Sequence, residues 1–95
     1  MGREETHATI ERQLAGERAS ALARVTEALE RALAELARGH GELRMRQLLM
    51  DEAAERLWFL VVTREAIGLT RHDTVYEILR VPMEVRHRMG PRPRR

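Results

Sequence analysis

Leu36-Ala37-Arg38-Gly39-His40-Gly41-Glu42-Leu43 sets the topology of this chain. Two long runs with helical spacing of apolar residues, about 6–37 and about 42–67, flank the Gly39-His40-Gly41 link. Gly39 can take positive φ after a helix, and so short a link turns the second helix back along the first, which predicts an antiparallel αα-hairpin. The first run as one helix is roughly 48 Å long at 1.5 Å per residue. A compact ball of 95 residues is only about 32 Å across. A rod of that length cannot enclose its own apolar face, and the simplest cover is a second copy of the chain.

Working outward from the link, Leu22, Leu29 and Leu36 recur every seven residues, with Val25 and Ala32 three positions after the first two, Ala21 and Ala28 one position before a leucine, and Leu14 seven positions before Ala21. This is an apolar stripe of bundle type. Arg and Glu occupy the other side, with Glu27/Arg31 and Arg24/Glu27 at salt-bridging separations, as on a solvated face. Gly16 costs about 1 kcal/mol inside a helix, and is the candidate place for a bend or for the point where the N-terminal arm changes partner. In the second helix Leu43, Met50, Ala53, Ala54, Leu57, Leu60 and Val61 form the inward stripe. Within it Leu57-Trp58-Phe59-Leu60-Val61-Val62 is apolar all round, a pattern that requires cover on more than one side. The expected core or dimer interface is therefore Leu22, Val25, Leu29, Leu36, Leu57, Trp58, Phe59, Leu60 and Val61. Trp58 and Phe59 are read as part of it rather than as the lining of a ligand pocket.

Beyond Gly68 the elements become short. Thr70 and Asp73 have capping-box spacing and open a helix of about 71–80, with Val75, Ile78 and Leu79 on one face. Val81-Pro82 stops it, because proline removes a donor and keeps the preceding residue out of the α region. Pro82 suits the first position of a last helix, about 82–89, with Val85 and Met89 on one side and Gly90 as its stop. The expected fold is all-α: one domain over residues 1–90, a long antiparallel hairpin plus two short C-terminal helices, pairing into a dimeric four-helix bundle. Residues 91–95 read as a disordered basic tail.

All seventeen basic residues are Arg, and Lys and Asn are absent, which looks like codon bias in a GC-rich bacterial genome. Their distribution is more informative than their number. Residues 1–85 hold twelve Arg against fifteen acids, a net of −3, whereas residues 86–95 hold five Arg and no acid, a net of +5. Arg86, Arg88, Arg92, Arg94 and Arg95 are thus the expected contacts for weak, non-specific polyanion binding. The lack of cysteine excludes disulfides and thiolate metal sites. The polar start Met1-Gly2-Arg3-Glu4-Glu5 does not read as a signal peptide. The longest apolar run, Leu57 to Val62, is far short of the roughly 20 residues that cross a bilayer. A cytoplasmic protein without membrane contact is expected.

Chemistry-bearing motifs are sparse. Glu4-x-x-His7 and Glu84-x-x-His87 have the spacing of di-iron bundle ligands. One copy lies near the N-terminus and the other in a short basic helix, so neither has the mid-helix, inward setting such sites need. Ser20 is the lone serine, with no nucleophile elbow around it, and no glycine-rich phosphate loop is present. Residues 71–89 resemble a helix-turn-helix poorly, because the Val81-Pro82 link lacks the usual glycine and the second helix is barely two turns. Arg64, Glu65 and His72 surround the Gly68 turn and read as a structural polar cluster bonding free groups at helix ends.

Glu17-Arg18-Ala19-Ser20-Ala21-Leu22, then Arg64-Glu65 with Gly68-Leu69 and His72, and finally Val81-Pro82-Met83-Glu84-Val85 with Arg88-Met89-Gly90 carry a resemblance. Over most of residues 10–90 the chain resembles a family of small uncharacterised bacterial all-helical proteins, a domain of unknown function with Arg-Glu-x-x-Gly-Leu-x-x-His and Pro-x-Glu-Val strings. That resemblance implies a helical fold and no particular activity. The expected function is a non-enzymatic, homodimeric interaction or structural module without a cofactor, with an unidentified protein as the other candidate partner. The alternative is a small nucleic-acid-associated protein acting through its Arg-rich C-terminal tail.

Overall fold

The computed structural model describes residues 2–39 and 41–90. Four helices follow in order: α1 (Arg3–Ala37), α2 (Leu43–Ala66), α3 (Asp73–Ile78) and α4 (Met83–His87), with no strand among the described residues. The expected disorder of 91–95, and Arg92, Arg94 and Arg95 with it, lies outside the described residues, as does His40.

Helix α1 runs through Gly16 without interruption. The helix continues there because the penalty of one glycine is small against the propensity of the Ala-, Leu-, Glu- and Arg-rich turns around it. Gly39 takes positive φ (78°) directly after α1, and its N–H closes the last turn onto the Leu36 carbonyl. The hairpin forms from there, with α1 and α2 packed together.

Leu29, Leu57, Leu60 and Val85 are fully buried, joined in the core by Leu36, Met50, Ala53, Ala54, Val61 and Val81. Each fully buried side chain of this kind contributes about 1.5–3 kcal/mol. Leu22, Val25, Leu33, Leu49, Val75, Tyr76 and Leu79 pack half-buried around them. The chain thus supplies much of its own cover: α4 crosses α2 and plugs Val85 into it, while Val81 enters from the turn before. A second copy is not needed over Leu29, Leu36, Leu57, Leu60 and Val61.

Four placements differ from expectation. Leu43, expected inward, is 68 % exposed at the first residue of α2. It sits beside the link, at the end of the helix. Ile78, expected to share a packed face with Val75 and Leu79, is 72 % exposed. The chain turns at Arg80 before another helical turn can form, and Val81 takes the inward place instead. The Thr70–Asp73 capping box is also absent, since the N-cap of α3 is His72 and makes no side-chain cap bond. Pro82 likewise stands at the N-cap of α4, in extended backbone, rather than at its first helical position.

The molecule is long, 63 × 26 × 23 Å, with a radius of gyration of 17.0 Å, against about 12 Å for a compact chain of this length. The cause is α1. Every residue from 3 to 20 is exposed, an arm about 27 Å long.

Candidate functional site

Two polar constellations and one apolar face stand out from this framework. The first is the junction after α2. Gly68 (φ 90°) follows the helix, the Leu69 N–H reaches back to the Arg64 carbonyl at 2.9 Å, and the turn brings His72 against α2. Arg64 Nε donates to His72 Nδ1 at 3.1 Å, and Arg64 Nη2 donates to the Arg71 carbonyl at 2.8 Å. Because Nδ1 accepts, the imidazole proton sits on Nε2, which faces Glu65 Oε2 at 3.4 Å. Arg64, Glu65 and His72 are therefore brought together, and their bonds link the end of α2 to the start of α3.

Tyr76 continues this junction, with its ring centroid 6.3 Å from that of His72 and the Arg86 guanidinium stacked 5.1 Å from its own. Burial raises the Tyr76 pKa above the ordinary 10.0, with Asp73 and Glu65 adding to the shift and Arg86 and Arg64 opposing it. Arg86 also donates to the Val81 carbonyl at 3.0 Å, and Arg88 pairs with Asp51 at 3.0 Å. These two expected polyanion contacts thus bond within the body, where they hold the α4 segment in place.

The second constellation surrounds a cavity of about 360 Å³ at the closed end of the hairpin. Leu33, Leu36, Met50 and Pro82 line it with Arg46, Arg80 and Glu84. Arg46 Nη2 and Glu84 Oε2 are 3.3 Å apart. Arg80 has φ 53°, the one positive value at a non-glycine among the described residues. A side chain in left-handed backbone costs roughly 1–2 kcal/mol. Sequence reasoning missed Arg46 and Arg80 and placed Glu84 in a ligand motif. A turn before Pro82 is foreseeable, but the meeting of residues 46, 80 and 84 depends on α4 folding back onto α2.

The third feature is the outer side of α2, where Met45, Leu48, Phe59 and Val62 are exposed. Phe59 packs beside Trp58 at 5.4 Å between centroids, and Arg56, paired with Glu52 at 2.8 Å, lies 5.9 Å from the Phe59 ring centroid. On the α1 arm Ile10 and Leu14 are exposed as well.

The two Glu-x-x-His pairs do not close. His7 faces Glu11 at 2.9 Å and Glu84 is engaged by Arg46. Among the described residues no three His, Asp or Glu side chains converge as metal ligands, and no helix is long and apolar enough to cross a membrane.

A two-helix hairpin braced by two short C-terminal helices, with polar contacts placed at its turns, defines the class as a small all-α helical-hairpin protein. The chain belongs to a family of unknown function (DUF6665), whose model matches residues 2–95. No curated protein and no solved structure matches it.

Proposed function

We propose that this protein is a non-enzymatic, homodimeric helical interaction module working in the cytoplasm. The observation that carries the reading is that α2 exposes large apolar side chains opposite its covered side: Leu57 and Leu60 face the core, whereas Met45, Leu48, Phe59 and Val62 are exposed, interspersed with Glu52 and Glu55. The α1 arm offers the matching element, since Leu14 continues at seven-residue spacing into Ala21 and Ala28 and Ile10 lies one turn before it. In a two-fold pair the arm of each copy lies along the outer side of the other copy's α2, which completes a four-helix bundle.

Area supports a second copy as the occupant. The chain exposes 7332 Å², whereas a compact monomer of 11.0 kDa exposes about 5,600 Å². That excess is more than the roughly 800 Å² per partner that a standard interface covers. The test is a pair of surface variants. Phe59→Glu and Leu14→Glu each place a charge in the proposed interface and outside the core. Both should melt cooperatively and elute later than the unmodified protein at the same concentration. Unchanged elution of both variants would contradict the reading.

A further inference from the structure

The cavity at the closed end of the hairpin has no part in the proposed dimer, and its composition is that of a small-molecule site. Its volume, about 360 Å³, falls in the range of ligand pockets, which combine apolar walls with a few convergent polar groups. Here Leu33, Leu36 and Met50 form the wall, and two guanidiniums face one carboxylate, leaving one net positive charge. Glu84 engages Arg46 through a single 3.3 Å contact at Nη2, so the other N–H groups of that guanidinium remain to donate. Arg80 makes no side-chain hydrogen bond or ion pair among the described residues. It is also held in left-handed backbone at the cavity wall, where glycine would fit without strain. Backbone strain kept at a ligand-sized cavity points to a role for the side chain.

We propose that this cavity binds a small amphiphilic monoanion, a carboxylate with an aliphatic body, with Arg80 and Arg46 holding the carboxylate and Leu33, Leu36 and Met50 covering the chain. The single net charge matches a monoanion better than a phosphate dianion. The apolar wall adds what a bare anion cannot use.

The experiment uses the full chain and octanoate as the probe, followed through backbone amide shifts of Leu36, Met50 and Val81. Octanoate should saturate these shifts with Kd on the order of 1 mM. Octan-1-ol and inorganic phosphate should each produce much smaller shifts at equal concentration. Arg80→Gly, which relieves the strained backbone and so keeps the fold, should weaken octanoate roughly tenfold, as loss of a charge-assisted hydrogen bond implies, and leave the octan-1-ol response unchanged. Equal responses to octanoate and octan-1-ol would reduce the site to an apolar dent, and a phosphate response matching that of octanoate would make it a bare anion site. Either result overturns the proposal, as does an absence of saturable binding or an Arg80→Gly variant that binds octanoate as the parent does.

Discussion

Gly68 and Arg80 hold the same position in the same helix-ending turn. At the end of α2 the Gly68 N–H bonds the Glu65 carbonyl at 3.0 Å and the Leu69 N–H bonds the Arg64 carbonyl at 2.9 Å. At the end of α3 the Arg80 N–H bonds the Glu77 carbonyl at 3.1 Å and the Val81 N–H bonds the Tyr76 carbonyl at 2.9 Å. Both residues take positive φ, 90° and 53°. This pairing of a five-residue and a three-residue return bond is the Schellman motif, which favours glycine at that position.

Exchange at the two positions should therefore have opposite signs. Arg80→Gly removes the strain and should stabilise the protein by about 0.5–1 kcal/mol, and Gly68→Ala introduces it and should cost a similar amount or more. Thermal midpoints should move several degrees up and down respectively, at about 4–8 °C per kcal/mol for a domain of this size. Two shifts of the same sign would mean that the turns are not equivalent.

Core substitutions separate the inner from the outer side of α2. Leu57→Ala leaves a cavity at a fully buried site and should cost about 2–5 kcal/mol, a large part of the 5–15 kcal/mol typical of a domain. Leu60→Glu places an unpaired charge in the core and should abolish cooperative melting. Phe59→Glu, one residue away on the outer side, should leave folding intact. A Leu60→Glu variant with an unaltered melt would show that this side is misplaced.

These contrasts mark what the sequence discloses. The hairpin is legible because Gly39 stands between two periodic runs, and the seven-residue recurrence of Leu29 and Leu36 identifies residues that are buried. The junction of Arg64, Glu65 and His72 is legible because one short turn brings together residues on either side of it. What is not legible depends on where the last short helices land. Periodicity alone points Ile78 inward, but the turn at Arg80 substitutes Val81. Docking of α4 on α2 is also what brings Arg46 to Glu84 and adds to the cover of the inner side of α2.

The raised pKa of Tyr76 has a defined consequence at high pH. Its folded value lies above the unfolded value of about 10, so the folded state favours the neutral phenol. The stabilisation is complete below pH 10 and is lost as pH rises through the folded pKa. Because the chain has one tyrosine, absorbance of the phenolate reports this group alone. Its titration midpoint should lie above that of the urea-unfolded chain, and Tyr76→Phe should remove this contribution to the fall in thermal midpoint above pH 10. Identical midpoints in folded and unfolded protein would refute the burial argument.

Polyanion affinity should follow the charge split. Arg86 and Arg88 have partners in the body, so truncation after Gly90, which removes Arg92, Arg94 and Arg95, should eliminate most heparin retention at low salt and barely change the melt. Retention by the full chain should fall steeply with salt, as counterion release requires. Salt-tolerant, sequence-selective DNA binding that survives truncation would favour the nucleic-acid alternative.

If a second copy covers the outer side of α2 and the α1 arm, light scattering of the unmodified full chain after gel filtration at tens of micromolar should give a mass of about 22 kDa, twice the 11.0 kDa of the chain. A single species at the chain mass, with a cooperative melt, would contradict it.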